Sequence, residues 1–372
     1  MTRSKLLFAL ALACAPVVAA AATGNYAQRP EGKALLERLQ NADGVDIEEA
    51  RALLEDAKYQ PKIVATMRKP AERTLTWKDY RPIFLQPERA QKGADYIAEH
   101  RELFEQAEDE YGVPAHVIAA IIGVETKYGA FLGRDRVLDA LATLGFDYPE
   151  RSAYFMRELE GFIELCVEED LACDREIGSY AGAMGLPQFM PSSYRAYAVD
   201  GNDNGRRDLW EEPADIIHSV ANYLAEHGWQ RNARVALPAW IGDDGDLDDI
   251  ERSKRKPAYR WDALRKLGIR VDDPPPADAD VGLLQFEGAH GTEYWLGLNN
   301  FFVITTYNHS PLYAMAAYQL GQEIAYARSL DCPCDRHRRR GLWPLCRACR
   351  PCHCQAWWHV HRARRAVCAT RR

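Results

Sequence analysis

The stretch VIAAIIGVETKYGA, residues 117–130, is apolar on almost every side and then places an acid, Glu125, where the pattern calls for another apolar side chain. A helix of that kind reads as buried, with the carboxylate on its apolar stripe. Each helical residue advances about 100°, which sets Ile118, Ile121, Ile122 and Glu125 on one face and points Lys127 to the opposite side, a poor local ion-pair partner. Pro114 suits the first turn and Gly129 a left-handed stop, so Glu125 falls in the last turn. An unpaired carboxylate on a buried face costs several kcal/mol or else keeps its proton into the neutral range. A carboxyl that keeps its proton there is a general acid. The plainer alternative is an acid that emerges at the helix end and meets water or a distant arginine.

The chain has 372 residues, enough for two or three domains. It opens with Arg3 and Lys5, an apolar run from Leu6 to about Val18, and small residues, which is an export signal over 1–22, too short to span a membrane. AAA at 20–22 reads as a plain cleavage site; ALAC ending at Cys14 is the alternative, a lipidation box that would anchor the protein to the outer membrane, with Ala11 where Leu is usual. The expected location is the periplasm.

Of ten cysteines, one lies in the signal, two in the body and seven after residue 331. Cys166 and Cys173 are the expected disulfide of an oxidising compartment. On a continuous helix they would stand about 10 Å apart, so a turn must intervene.

Residues 331–372 carry eleven Arg, two Asp and no Lys or Glu; that is +9, and the chain's total of −7 then leaves −16 on the first 330 residues. CRACRPCHC with nearby His could ligate zinc, and the Arg clusters could bind anionic polymers. The cysteine spacings lack the separated pairs of a zinc module, and the reading adopted is an out-of-frame, non-native tail. No nucleic-acid partner is expected, and the protein is expected to be a monomer.

Helical pattern dominates residues 31–110, in GKALLERLQ, IEEARALLEDA and AQKGADYIAEHRELFEQAEDEYG, and further helices joined by Gly/Pro loops follow over 114–228. Asp147 and Glu150 have capping-box spacing ahead of RSAYFMRELEGFIELC. RVALPAWIG, VGLLQFEG and TEYWLGLNNFFVIT read as strands and turns, after which helix resumes at LYAMAAYQLGQEIAYARSL. A strand-rich insert therefore interrupts a helical domain. The expected division is an N-terminal helical domain over 23–105, a catalytic core over 106–228, an inserted small β domain over 229–303 and a helical return over 304–330.

Three further stretches carry chemistry. DGNDNGRRDLWE, residues 200–211, fits a calcium-loop template with Asp200, Asn202 and Asn204 at positions 1, 3 and 5, Gly205 at 6, the Arg206 carbonyl at 7, Asp208 at 9 and Glu211 at 12. A turn capping the next helix is the plainer reading. SYAGAMGLPQFMPSSY, residues 179–194, sets Ser179 and Gln188 among small residues that let a ligand approach the backbone. TTYNHSPLYAMAAYQL, residues 305–320, offers Tyr307, Asn308 and Tyr313, with rings suited to stacking on sugars. His309 has no Ser or Cys partner motif and reads as a surface residue. Core packing is the default for any single tyrosine here.

Together with GVETKYG these stretches resemble the lytic murein transglycosylase B family of bacterial peptidoglycan-cleaving enzymes, from TWKDYRPIFLQP at 76–87 to YQLGQ at 318–322, in the family's order and spacing. The resemblance implies a mainly α (α+β) fold, with a lysozyme-like helical core, an N-terminal α domain and a small inserted β domain. It implies Glu125 as the acid/base, with Tyr80, Ser179, Gln188, Tyr223, Tyr307, Asn308 and Tyr313 lining a cleft for peptidoglycan glycan strands. It implies a structural calcium in an EF-hand-like loop and no catalytic cofactor. The family's last ligand is an Asp slightly beyond position 12, so Glu211, Glu212 and Asp215 all stand as candidates. The family has nothing like the Arg/Cys tail. The implied reaction is a non-hydrolytic cleavage that needs one carboxylate, whereas a hydrolytic muramidase would need a second, such as Asp135, Asp139 or Asp147. A glycan-binding scaffold without turnover is the reading from another class.

Overall fold

The computed structural model describes residues 25–330 except 69–73, 244, 246, 248, 249 and 254; the export segment with Cys14 and the Arg/Cys-rich tail fall outside the described residues. After a short turn at Tyr26–Gln28 come helices α1 (Pro30–Leu39), α2 (Ile47–Asp56), α3 (Pro61–Met67), α4 (Trp77–Phe84), α5 (Pro87–Glu99), α6 (Arg101–Tyr111) and α7 (Ala115–Thr126). Strand β1 (Asp135–Arg136) leads into α8 (Val137–Asp147) and α9 (Ser152–Glu168), and pairs antiparallel with β2 (Ile177–Gly178). Helices α10 (Pro191–Tyr197) and α11 (Pro213–Glu226) complete this part. Many of these helices start on proline, whose missing N–H costs nothing in a first turn.

The acid-bearing helix is the centre of the molecule. Residues Ile118 to Ile122 of α7 have no exposure, and α5, α6, α11 and the last helix, α14 (Pro311–Leu330), pack around it. Truncating one of these isoleucines to Ala removes about 2–5 kcal/mol of stability. Close approach is built in with glycine: a Cβ on Gly93 of α5 or on Gly123 of α7 would lie 2.4 Å from the Tyr128 hydroxyl, which threads between the two helices. That hydroxyl donates to the Arg89 carbonyl at 3.2 Å.

The insert is an antiparallel sheet of β3 (Ala236–Ile241), β4 (Tyr259–Arg260), β5 (Ile269–Arg270), β6 (Asp280–Gly288) and β7 (Gly291–Gly297), in the order β4-β6-β7-β3-β5, with the short helix α12 (Trp261–Lys266). It has its own apolar cluster, including Trp261, Leu264, Ile269, Leu283 and Leu296, beside the larger one that runs from Tyr26 to Ile324. Trp77 of α4 packs on Phe286 of β6, centroids 5.6 Å apart, and seats the sheet on the helical body.

Two local expectations need correction. NNFFVIT, read as strand from its aromatic and β-branched residues, is helix α13 (Asn299–Tyr307). Burial of Phe301 to Ile304 against α14 overrides strand propensity, and buried Asn300 fastens its start to the backbone of Gln230 and Ala233. Asp147 and Glu150 form no capping box: Asp147 ends α8 and accepts from Tyr26 Oη at 3.1 Å and Arg29 Nη1 at 2.7 Å, while α9 begins without a side-chain cap. A distant cation outcompetes the local backbone. The short helix α12 was carried by WDALRK, too brief a run to stand out among strands. Cys166 and Cys173 are bonded, with Cα atoms 5.7 Å apart, because α9 stops at Glu168 and Asp170 turns the chain through the left-handed region.

Candidate active site

Helix α7 ends abruptly. Lys127, Tyr128 and Gly129 all take positive φ, so the chain leaves the helix directly after Glu125 and Thr126, and Glu125 meets the surface only in part. Thr126, fully buried, ties this corner: its hydroxyl lies 3.2 Å from the Leu186 carbonyl and accepts the Gly129 N–H. The acid thus sits on a rigid corner against the loop that carries Gln188.

Tyr313, in the first turn of α14, donates its hydroxyl to Glu125 Oε1 at 2.5 Å. Burial first, and then the nearby Glu125 charge, holds the Tyr313 hydroxyl well above the usual tyrosine range, so it stays a donor. Tyr307 is raised in the same way by burial and by Glu125. Its ring lies nearly parallel to that of Tyr313 at 6.4 Å, and edge-on to Tyr223 at 4.7 Å. The hydroxyls of Tyr307 and Tyr223 are spent on the Pro187 and Thr306 carbonyls at 2.7 and 2.8 Å. These two therefore present rings rather than polar tips.

The other expected residues lie in segments packed around this corner. Gln188 has φ +54°, and its Nε2 donates to the carbonyls of Gly185 and Leu132. Ser179 Oγ accepts from the N–H groups of Ala181 and Ala183 and braces its loop. Asn308 ends α13, and its Oδ1 accepts the Ser310 N–H. Tyr80, 1 % exposed, lies behind Tyr313, its ring 4.9 Å from Phe84. His309 is on the surface.

Sequence reasoning missed three members of this group. Phe189 packs on both Tyr223 and Tyr307, and His227 stacks on Tyr223 with centroids 4.1 Å apart. His227 stands four residues after Tyr223 on the same helical face, a spacing that would have found it. Phe189 and the brace at Thr126 follow from tertiary contacts and have no local signal.

The 200–211 loop is closed by its own side chains. Asp200 accepts from the N–H groups of Asn204 and Gly205, Asn202 from Asn204, Asn204 from Arg206, and Asp208 from Trp210 and Glu211. Asp215, fully buried, accepts from the backbone of Gly201 and Asp208 and staples the loop's two ends. Burial chiefly raises its pKa, against those two backbone bonds. Among the position-12 candidates, Glu211 is exposed, whereas Glu212 accepts from Asn202 Nδ2 at 3.3 Å at the loop's mouth. No group of three or more His, Cys, Asp or Glu among the described residues could hold a metal; the loop's oxygens come instead from two Asp, two Asn and a carbonyl, a hard donor set of the calcium type.

Comparison with known proteins agrees with this architecture. A family model described as the transglycosylase SLT domain matches residues 28–322. The membrane-bound lytic murein transglycosylase B of Escherichia coli strain K12 is 38 % identical over 314 residues, 82 % of this chain and 85 % of its own. The soluble lytic transglycosylase SltB1 of Pseudomonas aeruginosa, in its catenated form, superposes with a TM-score of 0.77 at 44 % identity, covering 82 % of this chain and 99 % of that one. The E. coli lytic transglycosylase Slt35 in complex with calcium gives 0.75 at 38 % identity, covering 82 % and 96 %. The chain belongs to the SLT-domain family and is a lytic murein transglycosylase, an enzyme that cleaves peptidoglycan on a mainly helical, lysozyme-like fold with a small sheet.

Proposed function

We propose that this enzyme cleaves the β-1,4 bond between N-acetylmuramic acid and N-acetylglucosamine with Glu125 acting alone, as acid and then as base. Protonated Glu125 gives its proton to the glycosidic oxygen as the C1–O bond breaks. The carboxylate then takes the proton of the muramoyl C6 hydroxyl as that oxygen attacks C1, so a 1,6-anhydro ring forms and no water is consumed. The neighbouring 2-acetamido group stabilises the oxocarbenium centre in between.

The environment of Glu125 carries the reading. It stands at the end of a buried, largely apolar helix, which favours the protonated acid, beside the donor Tyr313, which favours the carboxylate. Two of the three acids a hydrolytic route would call on are engaged elsewhere. Asp139 is paired with Arg136 and accepts from Lys58 N and Gln60 Nε2, and Asp147 is paired with Arg29. Asp135 lies on β1, where its backbone pairs with Gly178, and its carboxylate is the one the experiment must address. Glu125→Gln should abolish release of anhydro-muropeptides from purified murein at unchanged melting temperature, while Asp135→Asn retains it. Loss of activity in the Asp135 variant, with release intact in the Glu125 variant, would reverse the assignment.

Ser179, Gln188, Tyr223, Tyr307, Asn308 and Tyr313 line the glycan cleft in this account, rings for stacking and amides for the sugar oxygens, whereas Tyr80, expected among them, is buried and supports Tyr313 from behind. Calcium is a structural ion held by Asp200, Asn202, Asn204, the Arg206 carbonyl and Asp208, with Glu212 the nearest closing carboxylate and Asp215 bracing the loop. The chain is exported to the periplasm, soluble after cleavage near 20–22 or anchored through Cys14. No helix among the described residues is long and apolar enough to cross a membrane.

A further inference from the structure

The segment between the acid and β1 leaves a large apolar side chain in the open. Phe131 is 50 % exposed, whereas the other described phenylalanines are packed or partly so. Its backbone is not loose: the Phe131 N–H donates to the Thr126 carbonyl at 3.0 Å, and the next carbonyl, of Leu132, accepts from Gln188 Nε2. Following covalent geometry through that first bond, the Phe131 and Glu125 Cα atoms are at most about 11 Å apart.

Gly133 fixes the following step. It has φ +110°, and a Cβ there would fall 1.8 Å from the Gly178 carbonyl, so the chain lies flat against the strand leading into Ser179. Arg134 then returns over the ring, its Cζ 5.5 Å from the Phe131 centroid. A guanidinium over one face leaves the other free for a ligand and keeps a bidentate donor beside it. The facing strand contributes Ile177 and the turn after it Tyr180, 42 % and 36 % exposed. A half-exposed ring under a guanidinium, held by backbone hydrogen bonds next to the site, offers a ligand an apolar face beside a cation.

We propose that Phe131 and Arg134 form an outer subsite for the substrate: a sugar of the glycan strand lies with its C–H face on the open face of Phe131, and the Arg134 guanidinium takes a carboxylate of the peptide stem on that strand. The occupant is the glycan strand because the surface is continuous with the corner that carries Glu125 and with the loops of Gln188 and Ser179. The inference rests on the transglycosylase reading of that corner.

The test uses two variants of the full chain, Phe131→Ala and Arg134→Gln, and two soluble substrates, uncross-linked strands with peptide stems and the same strands stripped of peptide by an amidase. Both side chains are exposed, so melting temperatures should not change. Phe131→Ala should raise KM about five- to tenfold on both substrates with kcat nearly constant, the signature of lost ground-state binding. Arg134→Gln should raise KM by a similar factor on the peptide-bearing strands alone. Unchanged KM in Phe131→Ala, or a fall in kcat at constant KM, overturns the stacking platform. Equal effects of Arg134→Gln on both substrates overturn the carboxylate contact. Should wild type release hydrolysed rather than anhydro products while Phe131→Ala still raises KM, the lyase reading fails and the subsite stands.

Discussion

Tyr313→Phe removes a hydrogen bond to the proposed acid, from Tyr313 Oη to Glu125 Oε1 at 2.5 Å. The tyrosine is 3 % exposed, and its hydroxyl is held well above its ordinary range by burial and by the Glu125 charge, so it donates throughout the working range. A donor aimed at a carboxylate favours the ionised acid; without it Glu125 keeps its proton to higher pH. A hydrogen bond to a charged group contributes about 1.5–3 kcal/mol, which at 1.36 kcal/mol per pH unit is about 1–2 units. A water entering the vacated space would recover part of this, leaving about one unit. The pH profile of kcat/KM on purified murein strands reads the effect. The alkaline limb should move up by about that much in the variant, with a lower maximal rate because the second step needs the carboxylate. A limb that stays in place, or moves down, would refute the role given to this contact.

Three further outcomes test the frame around the site. Burial, with Arg328 as a lesser cause, lowers His116 to about 4, so the unfolded chain binds its proton more tightly; the stability is present above about pH 6.5 and lost as pH falls towards 4. The loss should be about 2 kcal/mol once the ring's partial exposure is allowed for, and denaturation curves of His116→Asn should lack it. Calcium at about ten times its dissociation constant, on the order of 0.1–1 mM for such loops, should add about 1.4 kcal/mol and a few degrees of melting temperature, reversed by a chelator; a melting curve indifferent to both reduces the loop to a turn. Replacing Cys166 and Cys173 by serine should cost about 2–3 kcal/mol in urea denaturation, from the loop that their separation of seven closes.

The central helix and its acid were legible in sequence because an all-round apolar run has few folded solutions, and one carboxylate in it breaks the pattern visibly. The wall of side chains around Glu125 was legible only in parts. Tyr307, Asn308 and Tyr313 share one stretch, but their use depends on α14 folding back across α7, which no local pattern specifies. The helix from Asn299 to Tyr307 shows the limit most clearly: its residues prefer strand in isolation, and packing on α14 decides otherwise. Asp147 is a second case, since the spacing to Glu150 is local while Arg29, its partner, stands 118 residues away. Phe131 carried no motif at all, and only its exposure in the folded chain marks it.

The claim that one carboxylate does all the proton work is tested most directly by following the oxygen. Purified murein is digested by the wild-type enzyme in water enriched in oxygen-18, and the released muropeptides are weighed by mass spectrometry. Intramolecular attack by the C6 hydroxyl predicts anhydro products with no heavy oxygen at C1. Products one water heavier and labelled at C1 would show that water is the nucleophile, and would contradict the account.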